Sequence, residues 1–413
     1  MAGPEAPGDA RMGAPTLAGV LVEECRINAL PDELLLHAIS YLDVRELVQT
    51  CVLSRRWRDL WRSVTRIRAS WEEFDGEADI PEERDVPFRR FVSRMLMLRN
   101  PTPLVEFSLS YHMPAWHHGV DLDVESEDAN LWIAHALQCN VRSLKVDVCD
   151  DMLCLDPLVF PPTCFLTNLE LSSVVLFPGF FENLQTGCTV LERLMLEDCD
   201  INDTEISSQT LKVLSIGQLC DFMVPKQASI SIPSLCYLGF SASLQTLPVL
   251  KNMESLVMAD VSVGNAHTQV DEMRQFLKGL SGVTHLYFNY KGRKLEMERN
   301  LELFPNFDNL TALTLVACWW DADFFAITEF FQNSPNLVKL ILKVGKTFSR
   351  SIGELIDIWF TCEHLETVEI VCLEGHSAAN SLEKLLLERG TASSQMERKR
   401  HGRSPSIVVT LKA

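Results

Sequence analysis

One pattern, L-x-x-L-x-L with conservative replacements, recurs along most of this 413-residue chain. Ten copies are clear and an eleventh is weaker. Successive clear copies begin 18 to 30 residues apart, a period typical of proteins built from stacked repeats. The ten begin at Val141, Leu166, Leu191, Leu211, Leu235, Met253, Val283, Leu310, Leu337 and Leu365, and the weaker copy comprises Leu104, Phe107 and Leu109.

The spacing within each copy has a physical reason. Alternate residues of a short strand point to one face of a sheet, and the first leucine turns inward where the chain approaches the strand. One coil can bury these leucines only against the next coil, so several coils must stack. The pattern predicts an α/β fold in which residues 101–375 form a curved leucine-rich-repeat solenoid with a parallel sheet on its concave face. The alternative is an ordinary α/β domain with parallel strands and crossover helices.

Ahead of the repeats, residues 27–66 predict three short helices. Pro31 suits the first turn of the first helix, and Asp43 and Glu46 are spaced as a capping box for the second. The third is marked by apolar residues at helical steps, namely Leu53, Trp57, Leu60, Trp61 and Val64, and its other face is rich in arginine. Three such helices are too few to bury their own apolar faces, which indicates a module that packs on a neighbour and docks a partner.

The rest of the chain divides by composition. Residues 1–26 are rich in Gly, Pro and Ala without periodicity, and we expect a disordered tail. Residues 67–100 are predicted to be a linker and a helical cap, with a helix over Phe88 to Leu98. Residues 376–413 are predicted to hold a helix, a basic loop at Arg398 to Arg403 and a final strand at Ser406 to Leu411.

Composition excludes several classes of function. A formal charge of −19 has the wrong sign for a protein that neutralises phosphates, so no nucleic-acid partner is expected. The apolar stretch Leu17 to Val22 is too short to span a membrane, and no membrane partner is expected. The 13 cysteines include no C-x-x-C pair, which argues against a disulfide framework and a zinc module. Cys199 instead follows its strand where a thiol can satisfy backbone groups at the turn.

No motif of an enzyme is present: a Gly-rich phosphate loop, H-E-x-x-H, G-x-S-x-G and a kinase signature are all missing. The sequence therefore predicts no catalytic residue, no cofactor and no metal. The adjacent pair His117 and His118 has no carboxylate or cysteine at a ligand spacing, so a surface loop is the favoured interpretation.

The segment at residues 27–64 resembles the F-box of plant F-box and leucine-rich-repeat proteins. The resemblance lies in its opening LPDELL and its close LSRRWRDLW. It implies a substrate-recognition subunit of a Skp–cullin–F-box (SCF) ubiquitin ligase in the nucleus or cytoplasm, which reaches cullin and RING subunits through a Skp-type adaptor. The residues implied to lie at or just under the adaptor surface are Leu30, Pro31, Leu34, Ile39, Leu53 and Trp57.

The concave face of the sheet is the predicted surface for an unknown protein substrate, because residues between the apolar positions point there. In the copy beginning at Met253, this register places Ser255 and Ala259 on that face. Small groups between two tyrosines predict space for an inserted apolar or aromatic side chain; alternatively the tyrosines are ordinary exposed strand residues. The substrate-binding candidates are Arg193, Tyr237, His285, Tyr287, Asn289 and Lys339.

Two other hypotheses belong to different classes. In one, the chain is a non-catalytic leucine-rich-repeat scaffold whose helical module merely caps the first coil, because a solenoid needs an end piece with one polar face. In the other, a small molecule fills the concave surface and helps bind the target.

Overall fold

The structure is a computed structural model and describes residues 26–74, 86–112, 122–149, 151–156, 159–161, 164–224, 227–242, 246–263, 270–290, 304–317, 330, 332–344, 364–373, 395–400 and 406–412. The predicted tail (1–26, of which only residue 26 is described), the pair His117 and His118 and the predicted helix after residue 375 lie outside these ranges.

Among the described residues, helices are few and most are short. The α-helices are α1 (Asp32–Ile39), α2 (Val44–Gln49), α3 (Val86–Leu98), α4 (Leu122–Gln138), α5 (Phe180–Gly187) and α6 (Val270–Gly279), and 3₁₀ turns cover Arg26–Ala29, Thr50–Val52, Leu60–Ser63 and Trp71–Phe74. The expected helices at residues 32, 44 and 88 are confirmed. The third helix expected between Leu53 and Val64 is wrong, since this segment forms turns and one 3₁₀ turn. Asp43 precedes α2, but its side chain makes no capping hydrogen bond.

One 14-stranded sheet runs through the molecule. Its order is β1 (Arg66–Ser70), β2 (Glu106–His112), β3 (Ser143–Cys149), β5 (Asn168–Ser172), β7 (Arg193–Glu197), β10 (Val213–Ile216), β13 (Tyr237–Ala242), β15 (Met258–Val263), β16 (His285–Tyr290), β17 (Ala312–Ala317), β18 (Lys339–Val344), β19 (Thr367–Leu373), β21 (Ser406–Lys412) and β20 (Gln395–Arg400). The pairings from β1 to β19 are parallel, as expected for a solenoid of stacked coils.

Two shorter parallel ladders run beside the large sheet in the coils. One contains β4 (Leu153–Leu155), β6 (Val174–Leu176), β8 (Asp200–Ile201) and β11 (Asp221–Phe222), and the other contains β9 (Glu205–Ser207), β12 (Ser229–Ser231) and β14 (Val249–Lys251). Their pairing joins successive coils a second time, so backbone groups outside the main sheet are also satisfied.

The repeat leucines form the core. Nine of the ten clear copies, and the weaker copy at Leu104, bury all three of their apolar residues. These residues belong to one continuous cluster that extends along the sheet. Two residues after the end of β7, the thiol of Cys199 donates to the carbonyl of Glu197 at 3.2 Å, which confirms its expected role at the turn.

The copy assigned to Met253, Leu256 and Met258 is wrong by three residues. Ala259 pairs with Leu238 of β13 and Leu286 of β16, and it is 1% exposed. Met258 is 42% exposed. The true copy is Leu256, Ala259 and Val261, all buried, so Ala259 does not face the open side of the sheet.

The sheet begins earlier than the predicted repeat region. β1 lies inside the segment expected to be a linker and pairs with β2. Val64, Ile67 and Ala69 are buried at the repeat spacing, so they form a further copy that the sequence interpretation assigned partly to the third helix. The helical module therefore enters the first coil without a spacer.

The sheet ends with a change of direction. β21 confirms the expected final strand, and it pairs antiparallel with β19. The basic cluster at Arg398 to Arg403 is only partly a loop, because Arg398, Lys399 and Arg400 lie in β20, which pairs antiparallel with β21.

A carboxylate from one coil caps a helix of the previous coil. The backbone N–H groups of Gly179 and Phe181, at the start of α5, donate to Asp203 Oδ1 at 2.6 Å and to Oδ2 at 3.1 Å. These donors would otherwise be unsatisfied at a helix N-terminus, where negative charge is favoured. Asp203 thus joins neighbouring coils through charge-assisted hydrogen bonds.

We expect Asp203→Ala to lower the free energy of unfolding by about 1–2 kcal/mol, the usual cost of losing a helix cap. Asp203→Asn should cost less because it keeps one acceptor. The midpoint of urea unfolding measures both variants, with Glu205→Ala, an exposed carboxylate two residues away, as the matched control. Equal midpoints for Asp203→Ala and Glu205→Ala would contradict the capping role.

Candidate functional site

The first surface of interest lies on the helical module. Ile27, Leu30, Leu34, Val52 and Leu53 are apolar but exposed, with 53% exposure at Leu34 and 64% at Leu53. We call these five residues the docking patch. A group of large exposed apolar side chains is typical of a protein-interaction site and not of an ordinary solvent-exposed surface.

The predicted adaptor residues divide into two groups. Leu30, Pro31, Leu34 and Leu53 are exposed and available to a partner. Ile39 and Trp57 are 4% and 3% exposed, so they belong to the core beneath the patch. Ile27 and Val52 complete the patch and were missed by the sequence interpretation, although their apolar character was the available signal.

Arg56 holds the two parts of the docking patch together. Its Nε donates to Asp32 Oδ1 at 2.8 Å, and its guanidinium also donates to the carbonyl of Leu30. The start of α1 is thereby tied to the turn that follows Leu53. This links Leu30 and Leu34 to Leu53 without using their side chains, which stay exposed.

The module is fixed to the first coil by polar and aromatic contacts. Arg45 Nη1 donates to the carbonyl of Glu73 at 2.6 Å, and the Arg45 guanidinium lies 5.2 Å from the centroid of the Phe74 ring. Burial raises the pKa of the Glu73 carboxyl, although the backbone N–H of Arg45 opposes this shift. A cavity of about 350 Å³ separates α2 from α3 and is lined by Val48, Trp61, Phe74, Pro87, Arg90, Phe91, Arg94, Met95 and Leu98.

The second surface is the face of the large sheet opposite the leucine core, which we call the open face. The strand register aligns its side chains in rows. The first row contains Arg193, Val213, Tyr237, Met258, His285, Ala312 and Lys339; the second contains Met195, Ser215, Gly239, Asp260, Tyr287, Thr314, Ile341 and Glu369; and the third contains Ser262, Asn289, Val316 and Lys343.

Four predicted substrate residues lie together on the open face, and two lie apart. Tyr237, His285, Tyr287 and Asn289 are carried by β13 and β16, with only β15 between them. Arg193 lies two strands before β13, and Lys339 lies two strands after β16. Lys339 Nζ is 2.9 Å from Glu369 Oε1, so its charge is already paired.

Asn289 corrects the predicted contact surface. It is 8% exposed, and its Nδ2 donates to Ser262 Oγ at 3.1 Å. Among the described residues its Oδ1 has no hydrogen-bond partner. Asn289 is therefore a buried residue that supports its neighbours on the open face, and it is not available for contact with a substrate.

Asp260 lies at the centre of the predicted group and was missed because of the register error in β15. It is exposed and lies between Gly239 and Tyr287 in the second row. Desolvation raises the pKa of its carboxyl, and the charge of Lys343 opposes this shift. Desolvation and the charge of Asp260 raise the pKa of both Tyr237 and Tyr287. The alternation of Asp260 and Ser262 with Val261 was the signal that could have found it.

The tyrosines are placed by their neighbours. The Cε1 atom of Tyr237 lies 3.4 Å from the position that a Cβ at Gly239 would take, so the ring extends over the glycine next to Asp260. Lys343 Nζ lies 5.0 Å from the centroid of the Tyr287 ring, a cation–π contact. We call Tyr237, Asp260 and Tyr287 the tyrosine–aspartate site.

The described part of the chain contains no group of three His, Cys, Asp or Glu side chains able to hold a metal ion. Within the same residues, no helix has the length and apolar character needed to cross a membrane.

Comparison with known proteins shows which protein family the chain belongs to. The model of the At1g61320/AtMIF1 LRR domain matches residues 133–359, which is more than half of the sequence, and the F-box domain model matches residues 27–68. The chain belongs to the plant F-box/leucine-rich-repeat family. The F-box match covers the docking patch, and the repeat match covers the tyrosine–aspartate site.

Individual relatives from Arabidopsis thaliana span both parts of this F-box/leucine-rich-repeat protein. F-box/LRR-repeat protein At4g14096 is 26% identical over 365 residues, covering 77% of this chain and 73% of the relative. Putative FBD-associated F-box protein At5g53635 is 27% identical over 415 residues, covering 88% of this chain and 92% of the relative. The similarity therefore extends over the combination of domains.

Family membership fixes the general character of the molecule. F-box/leucine-rich-repeat proteins act as receptors of the F-box type and are generally non-catalytic, and an F-box generally binds a Skp-type adaptor. The two surfaces described above correspond to these two parts: an apolar patch on the F-box and a polar open face on the repeats.

Proposed function

We propose that this protein is the substrate-recognition subunit of an SCF ubiquitin ligase. Its docking patch binds the Skp-type adaptor, which connects it to cullin and RING subunits, and its open face binds a protein target for ubiquitination and proteasomal degradation. The observation that carries this proposal is the exposure of Leu34 and Leu53, with the rest of the docking patch, on an F-box whose core residues such as Leu35, Ile39 and Trp57 are buried. We place this activity in the nucleus or cytoplasm.

The chemistry of ubiquitin transfer then belongs to other subunits. The receptor contributes proximity, because binding both the adaptor and the target turns an encounter in solution into one within a single assembly. This role requires a fixed geometry between the two surfaces. A core that continues from Trp57 and Trp61 into the repeats supports such a geometry.

The F-box also caps the first coil, as the scaffold hypothesis expects. Val64 and Ile67 are buried where the F-box meets β1. Capping uses this buried side and leaves Arg55, Arg58 and the docking patch exposed. Because a cap has no need of exposed leucines, the exposed patch favours the adaptor role over a scaffold that only caps. The small-molecule hypothesis is decided separately, by thermal-shift measurements with plant hormones and inositol phosphates.

Reconstitution tests the proposed function. The full chain, mixed with a plant Skp-type adaptor, cullin and RING subunits, should elute as one complex in size-exclusion chromatography. Affinity purification with degradation blocked should then retain target proteins whose ubiquitination requires the receptor. A full chain that elutes separately from the adaptor contradicts the proposal.

A further inference from the structure

The tyrosine–aspartate site places a carboxylate between two aromatic rings. Across the second row, Gly239 pairs with Asp260 and Asp260 pairs with Tyr287. The ring of Tyr237 extends over Gly239, so it occupies the position beside Asp260 on the β13 side. Adjacent strands are about 4.8 Å apart, so a carboxylate and two rings lie within the reach of one long side chain.

Within the described part of the protein, the Asp260 carboxylate forms no ion pair. Three other open-face carboxylates have ion-pair partners: Glu106 lies 3.6 Å from Arg68 Nε, Glu170 lies 3.8 Å from Lys145 Nζ, and Glu369 lies 2.9 Å from Lys339 Nζ. By contrast, Asp260 has no hydrogen bond or ion pair to any described residue, although it is partly desolvated. A carboxylate in this state gains from a cation supplied by another molecule.

Lys343 is a cation that already binds beside Asp260, on one of the two tyrosine rings. Its ammonium lies over the ring of Tyr287, and its charge acts on Asp260 without forming an ion pair. The ring of Tyr237 has no cation over it from the described residues. The β13 side of Asp260 therefore offers both a carboxylate and an unoccupied aromatic ring to an incoming group.

We propose that the tyrosine–aspartate site binds an arginine side chain of the target protein, with its guanidinium paired to Asp260 and stacked on Tyr237. This inference rests on the proposed function and adds the chemistry of the target. A planar guanidinium suits the site because it can donate two hydrogen bonds to a carboxylate while its face packs on an aromatic ring, which a lysine ammonium cannot do equally well.

The same geometry disfavours the alternative of an apolar or aromatic insert. Such a side chain would remove water from Asp260 without supplying a cation, and burying an unpaired charge is costly. An anionic insert would meet the like charge of Asp260. The site therefore selects a cationic group.

The test uses a matched pair of probes. Nα-acetyl-arginine amide and Nα-acetyl-citrulline amide have nearly the same shape but differ in charge. Saturation-transfer NMR titrations with the full chain should show arginine amide binding and about tenfold weaker binding of the citrulline probe. Asp260→Asn should weaken arginine amide binding about tenfold, whereas Asp147→Asn, the same change elsewhere on the open face, should leave it unchanged.

The pH dependence supplies an independent readout. Among the described residues, Tyr237 on β13, Tyr287 on β16 and Lys343 on β18 act on or respond to the charge of Asp260, and His285 lies in the neighbouring row on β16. As the pH falls through the raised pKa of Asp260, the carboxyl becomes neutral and arginine binding should be lost. His285→Gln should retain this loss, because the inference assigns it to the Asp260 carboxyl.

Equal binding of the two probes, or unchanged arginine binding in Asp260→Asn, would overturn the inference. A cooperative urea-unfolding transition in the same preparations verifies that the variants are folded. Adaptor binding measured on these preparations keeps the two proposals apart: a chain that binds the adaptor but not arginine refutes the arginine site alone, whereas a chain that fails to bind the adaptor refutes the proposed function.

Discussion

The double substitution Leu34→Asp with Leu53→Asp is expected to abolish association with a Skp-type adaptor, weakening it at least about a hundredfold. Both leucines are more than half exposed, so the fold loses little when they change. In a complex they would be covered, and two carboxylates buried without partners would oppose binding. Surface plasmon resonance with immobilised adaptor measures the dissociation constant.

The control is a pair of leucines with the same exposure outside the F-box. Leu131 on α4 is 66% exposed and Leu219 is 61% exposed. Leu131→Asp with Leu219→Asp adds the same charge to a chain that is already acidic, so it reports any general electrostatic repulsion of the adaptor. An F-box variant that binds as well as this control would remove the docking patch from the proposed interface.

Ala259→Asp is expected to lower the free energy of unfolding by about 3–5 kcal/mol, the cost associated with an uncompensated buried charge. Ala259 is in the core between Leu238 and Leu286, where neither water nor a cation is available. Met258→Asp, one residue earlier, should change stability by less than about 0.5 kcal/mol because its side chain is exposed. Urea unfolding followed by circular dichroism measures the difference.

A milder substitution keeps this comparison informative if Ala259→Asp fails to fold. Ala259→Ser buries only a hydroxyl and should cost about 1–3 kcal/mol if the hydroxyl finds no partner. The register read first from the sequence predicts the reverse order, with Met258→Asp the more damaging change. Greater stability of Ala259→Asp than of Met258→Asp would therefore restore that register and remove Asp260 from the open face.

The correction in β15 has a physical explanation. In Met253 to Val263 several registers place apolar residues at the repeat spacing, because Leu256, Val257 and Met258 are consecutive. Alanine is small, so a pattern search gives it little weight as a core residue. Pairing with β13 and β16 removes the ambiguity, since a shift by one residue would turn Asp260 and Ser262 into the core.

The F-box shows a different limit of sequence reasoning. Leu53, Trp57, Leu60 and Trp61 repeat at helical steps, yet residues 53–64 form turns and one 3₁₀ turn. Here Trp57, Trp61 and Val64 are buried within the core shared with the first coil. Apolar spacing indicated which residues become buried, but tertiary packing, here against α1, overrode the helical pattern of the backbone.

The sequence by itself determined the class of the fold and the position of the F-box. The repeated leucines can be buried only if successive coils stack, and every copy of the repeat specifies the same stacking. Single positions on the open face lack that redundancy. Tertiary structure alone decided that Asn289 is buried, that Lys339 is paired with Glu369, and that Asp260 lies between Tyr237 and Tyr287. Those facts depend on which residues lie opposite each other on neighbouring strands, and strand register is set by contacts between coils more than 20 residues apart in sequence.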